Sequence, residues 1–90
     1  MNSLDSVRSE VLRLVKARRN TAFIRTRQLS KIFNVPEKTI RKDLVELAKQ
    51  GSIRLFGCNG HEMRSYESWA NADEFIESGV EGGYLRIEIG

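Results

Sequence analysis

Apolar residues recur through the first half of the chain at spacings of three and four, as they do in helices with one buried face. Leu4, Val7, Val11, Leu14 and Val15 make the first such series, with Ser3 and Asp5 placed to cap its start, and predict a helix over residues 4–19. Leu29, Ile32 and Phe33 share the face of a short second helix. Ile40, Leu44, Leu47 and Ala48 make a third face, at offsets of four, seven and eight, on a helix running from Pro36 to the glycine at position 51. Elsewhere the period falls to two. Residues 21–25 are short, apolar and β-prone, and residues 52–56 alternate as a half-buried strand. The turn-forming run Gly57-Cys58-Asn59-Gly60 then lets residues 63–66 return antiparallel. Residues 68–78 predict a short helix with Trp69, Phe75 and Ile76 on one side, ended by Gly79. Residues 84–89 alternate again, with Leu85, Ile87 and Ile89 on one face. A strand there needs a partner, either the sheet of its own chain or the same strand of a second copy.

The second and third helices are joined by three or four residues, too few for an antiparallel hairpin, so they must cross steeply to share one core. The residue types fit such a turn. Ser30 is small where the helices pass closest, and Asn34 tolerates the left-handed conformation of a helix end. Val35 plugs the turn from inside, and Pro36 suits the first turn of the helix that follows. The polar side of that helix carries Glu37, Lys38, Thr39, Arg41, Lys42 and Val45. Lys and Arg donate to guanine O6 and N7, and Thr offers a hydroxyl and a methyl, so Lys38, Thr39, Arg41 and Lys42 are candidate base-reading residues in a major groove.

These residues resemble the winged helix-turn-helix domains of bacterial repressors, especially of the DeoR type. The likeness is carried by residues 29–35, LSKIFNV, by residues 39–44, TIRKDL, which look like that family's T-I-R-R-D-L, and by residues 47–51 followed by Ile53-Arg54-Leu55. It covers residues 5–60 and implies an α+β fold, three helices with a β-hairpin wing, and double-stranded DNA as partner. Asn34 stands where the family usually has Gly. Pro36 stands where it usually has a Ser that caps the recognition helix, which removes a hydroxyl and an N–H that could meet a phosphate. The sugar-phosphate-sensing domain of full-length DeoR-type repressors does not follow, so no small-molecule effector domain is expected. In size and layout the chain is similar to free-standing regulators of the PapI and FaeA kind, or to small phage regulators.

Charge sharpens this picture. Residues 1–56 hold 13 Lys/Arg against 5 Asp/Glu, giving +8, whereas residues 57–90 hold 2 against 7, giving −5. The basic part coincides with the helix-turn-helix, as phosphate neutralisation requires, and the acidic part is expected to face away from DNA. Arg25, Thr26, Arg27 and Lys31 gather at the start of the second helix, where Thr26 is placed to cap it. A positive helix end flanked by cations suits phosphate, so these four and Arg54 are candidate phosphate contacts. Asn59, His61 and Arg64 are the wing's candidates for flanking backbone or minor groove. Arg18 and Arg19 complement the dipole of the first helix.

Two units are expected: residues 1–67 as the winged helix-turn-helix domain and residues 68–90 as an acidic extension. The extension carries Trp69, Phe75, Ile76, Tyr84, Leu85, Ile87 and Ile89, enough apolar surface to serve as the contact of a homodimer. One Cys and one His make neither a disulfide nor a four-ligand zinc site, so no metal and no cofactor is expected. No apolar run approaches a membrane span and no signal peptide is recognised, so a cytoplasmic protein is expected. His61 and Glu62 have no nucleophile or metal partner at a suggestive spacing and no glycine-rich phosphate loop follows a strand, so an enzyme is not expected. The rival reading is a winged helix used for protein contacts alone, acting on another regulator.

Overall fold

The computed structural model describes residues 3–59, 62–78 and 84–89. It is an α+β fold with the order α1 (Ser3–Ala17), β1 (Thr21–Arg25), α2 (Thr26–Phe33), α3 (Glu37–Lys49), β2 (Ile53–Asn59), β3 (Glu62–Ser65), a 3-10 turn (Tyr66–Ser68), α4 (Ala72–Ser78) and β4 (Tyr84–Ile89). Gly60, His61 and Gly79 lie outside the described residues.

The first helix stops two residues short of its expected end. Its last turn is closed by the N–H groups of Arg18 and Asn20 donating to the Val15 carbonyl, and Arg19 and Asn20 then take φ of 59° and 70°. Two consecutive left-handed residues reverse the chain into β1, a conformation that Asn tolerates better than Arg does. At the second junction Asn34 is left-handed, with φ 54° and ψ 47°, and its N–H returns to the Ser30 carbonyl. The Ser30 hydroxyl donates to the Val35 carbonyl, and Val35 packs partly buried against the core. Pro36 stands one position outside α3 as its N-cap, with φ −59° and ψ 149°. Gly51 at φ 79° ends the helix, with its N–H on the Ala48 carbonyl and that of Ser52 on the Leu47 carbonyl.

Thr26 does not cap α2. Arg25 occupies the cap position without a side-chain bond, and Thr26 is the first helical residue, fully buried. Its hydroxyl donates to Glu37 Oε1 at 3.1 Å, which ties the start of α2 to the start of α3. A buried hydroxyl needs such a partner, and this one lies eleven residues away, where no local capping rule finds it.

The four strands form one antiparallel sheet in the order β1-β4-β2-β3. The last strand is therefore internal: Ala22 faces Ile87 and Ile24 faces Leu85 on one side, and Leu55 faces Ile87 and Gly57 faces Leu85 on the other. The first strand does not pair with the wing hairpin directly, because β4 separates them. Both edges of β4 are paired within its own chain, which answers the need for a partner. Ala22, Ile24, Ile53, Leu55, Leu85 and Ile87 point to the side where Val7, Val11 and Val15 of α1, Leu29 of α2 and Ile40, Leu44 and Leu47 of α3 complete the core. Phe75 of α4 enters the same core with no exposed surface, edge-on to the rings of Trp69 at 5.0 Å and Tyr66 at 6.2 Å. Phe75, Ile76, Leu85 and Ile87 of the extension thus serve the core of their own chain, whereas Tyr84 stays exposed.

Candidate nucleic-acid interface

Helix α3 turns Ile40, Leu44 and Leu47 inward, which leaves Lys38 and Lys42 exposed and Thr39 and Arg41 half-buried. The half-burial of Arg41 has a definite cause. Its Nε donates to the backbone carbonyl of Ile76 at 2.6 Å, near the C-terminus of α4, where carbonyls lack helical partners and favour a cation. One turn earlier, Lys38 pairs with Glu77 of the same helix. Helix α4 therefore lies along one flank of α3 and engages two of the four candidate base readers.

This arrangement corrects one expectation and bears on another. Val45 was placed on the polar side of α3 but is 3% exposed, within the core cluster that includes Phe75 and Ile76. It follows Arg41 by four residues, so it shares the flank that α4 covers. The acidic part, expected to face away from DNA, sets its Glu77 against Lys38 of α3. An apolar residue off the core stripe of α3 was the sequence signal for a second neighbour there.

Arg25, Arg27 and Lys31, with Gln28, line a shallow depression at the N-terminus of α2, whose first turn has no acidic residue. The guanidinium of Arg25 lies 4.4 Å from the centroid of the Tyr84 ring, which holds it at the sheet edge of this cluster. Thr26 belongs to the same segment in sequence only, because its hydroxyl is turned into the core. Arg54 stands apart, in a separate crevice with Ala48, Gly51, Tyr66 and Glu67. On the wing, Arg64 is paired to Glu62 of its own strand, with Nε at 3.0 Å from Oε2. His61 and the side chain of Asn59 lie outside what the structure describes.

A third helix closing over two helices joined by a left-handed Asn, followed by an antiparallel hairpin, defines the winged helix-turn-helix class of DNA-binding domains. Residues 9–62 match the family model described as the DeoR-like helix-turn-helix domain. The chain belongs to that family, and DNA is the partner that comes with it. No curated protein and no solved structure matches the chain. The matched residues end in the wing, so α4 and the internal strand β4 lie beyond them. Among the described residues, no helix is long and apolar enough to cross a membrane and no group of three His, Cys, Asp or Glu could hold a metal ion.

Proposed function

We propose that this protein is a sequence-specific regulator of transcription that places α3 in the major groove and its wing on the flanking backbone or minor groove. The observation that carries this reading is the exposed Lys38–Lys42 edge of α3, beside a helix-turn-helix partner whose N-terminus gathers Arg25, Arg27 and Lys31. Lys38, Thr39, Arg41 and Lys42 form the reading set, and Arg25, Arg27, Lys31 and Arg54 hold phosphates. A helix with its side chains is roughly 10–12 Å across and the major groove is about 12 Å wide, so α3 and α4 do not enter it together. The Lys42 edge enters first. Lys38 reaches DNA by giving up Glu77, and Arg41 does so by leaving the Ile76 carbonyl.

A module of this size covers few base pairs, and a second copy on a repeated operator supplies the missing discrimination. In such a pair β4 is not the joining strand, because both its edges are already paired. The capture of Lys38 and Arg41 by α4 is the one observation that favours the rival reading, a domain for protein contacts alone. Titration of labelled duplex at several salt concentrations separates the two. The DNA-binding reading predicts that the logarithm of affinity falls linearly with the logarithm of salt, at a slope of about −0.9 per phosphate neutralised. Absence of duplex binding at low salt contradicts it.

A further inference from the structure

The helices cover one face of the sheet, and the other face presents a different set of side chains. In one row across adjacent strands stand Phe23 of β1, Arg86 of β4, Phe56 of β2 and Ser65 of β3. In the next, Arg25 stands opposite Tyr84, and Cys58 opposite Met63. On the far side of the first row, Thr21 and Arg54 flank Glu88. Phe23 is 54% exposed and Tyr84 41%, large values for aromatic side chains on a sheet. Phe23 and Phe56 are two strand spacings apart, about 10 Å, with Arg86 between them. The guanidinium of Arg86 lies 5.3 Å from the Phe56 ring centroid, and Arg25 is similarly stacked on Tyr84. Arg86 Nε is shielded from solvent with no acceptor among the described residues, a cost to folding that packing alone does not explain.

We propose that this open face binds single-stranded nucleic acid, with bases stacked on Phe23, Tyr84 and the guanidinium planes of Arg25 and Arg86. The chemistry selects the occupant. Arg25, Arg54 and Arg86 outnumber Glu88, already paired to Arg86, and Glu67, which shares the crevice of Arg54; this balance favours a phosphate backbone, and rings interleaved with guanidinium planes match unstacked bases. A duplex keeps its bases inside its own stack and offers the rings nothing comparable. A second copy, related by a two-fold axis, would set Arg25, Arg54 and Arg86 against an identical basic face. The site is separate from the reading edge of α3 and shares only Arg25 and Arg54 with the phosphate contacts proposed for the duplex, so the test varies Phe23, which has no part in those contacts.

The test uses the full chain, fluorescein-labelled ten-nucleotide oligo-dT and oligo-U, and a labelled duplex. Phe23→Leu keeps an apolar side chain but removes the π-face, and Phe23→Trp keeps the face. Since Phe23 is largely exposed, neither change disturbs the core. The expected result is that the single strands bind, that Phe23→Leu weakens them about five- to hundredfold, that Phe23→Trp retains them, and that duplex affinity is unchanged in both variants. Lack of single-strand binding, equal binding by Phe23→Leu, or a parallel loss of duplex binding overturns the proposal. So does light scattering that shows a dimer dissociated by Phe23→Lys, since a second copy would then cover the face. Failure of duplex binding in the unaltered protein, with single strands still bound, would count against α3 as reader and leave this site standing.

Discussion

Replacing Glu77 by Gln should strengthen duplex binding. In the free protein Glu77 pairs with Lys38, and their side chains are 59% and 62% exposed, so the pair is a surface ion pair worth about 0.2–1 kcal/mol. If Lys38 must leave Glu77 to reach DNA, that energy is lost on binding, and removing the carboxylate restores it as a gain of about 1.4- to 5-fold in affinity. The salt slope should also steepen by up to about one unit, because Lys38 then brings its charge to the DNA without freeing an anionic neighbour. Fluorescence anisotropy against one duplex at four salt concentrations reads both quantities. A Lys38→Met background supplies the control, since Glu77→Gln should have no effect where Lys38 is absent. Stability is the second control: loss of an exposed pair moves Tm by only a few degrees in a domain of this size. Weaker binding by Glu77→Gln, or an equal gain in the Lys38→Met background, would refute competition between α4 and DNA for Lys38.

Other changes probe the phosphate cluster and the frame that holds it. Arg27→Ala and Lys31→Ala should each weaken all duplexes alike and reduce the salt slope by roughly one unit; altered base preference in either would move that residue into the reading set. Phe75→Ala empties a fully buried site and should cost about 3–5 kcal/mol in urea unfolding, whereas a loss below 1 kcal/mol would mean that α4 is not anchored through this ring. Gly51→Ala meets no neighbouring atom but forces a side chain into φ 79°, so it should cost about 1–2 kcal/mol; a stabilised variant would contradict the left-handed helix end.

Where residues a few positions apart decide the structure, the sequence was readable. The turn between α2 and α3 follows from Asn34, Val35 and Pro36, the end of α3 from Gly51, and the wing and last strand from alternation at period two. What could not be read depends on partners distant in the chain. Alternation in residues 84–89 marks a strand but not which edges it fills, and its insertion between β1 and β2 joins elements some thirty and sixty residues apart. Thr26 looks like a cap because its type and position suit one, yet Glu37 claims its hydroxyl from across the helix pair. The candidate interface divides in the same way. The basic edge of α3 is a property of its own periodicity, while the hold of α4 on Lys38 and Arg41 is a tertiary contact foreshadowed only by Val45.

The central claim, that the exposed edge of α3 reads duplex sequence, is tested most directly by selecting random duplexes on the purified protein and on its Lys42→Ala variant. Lys42 is exposed and has no ion pair among the described residues, so its loss leaves the fold intact and removes only what it offers to DNA. The account predicts that the unaltered protein enriches a defined consensus, and that Lys42→Ala binds that consensus about 1–3 kcal/mol more weakly with preference relaxed at one or two base pairs. An unenriched pool, or the same consensus bound equally well by the variant, would contradict it.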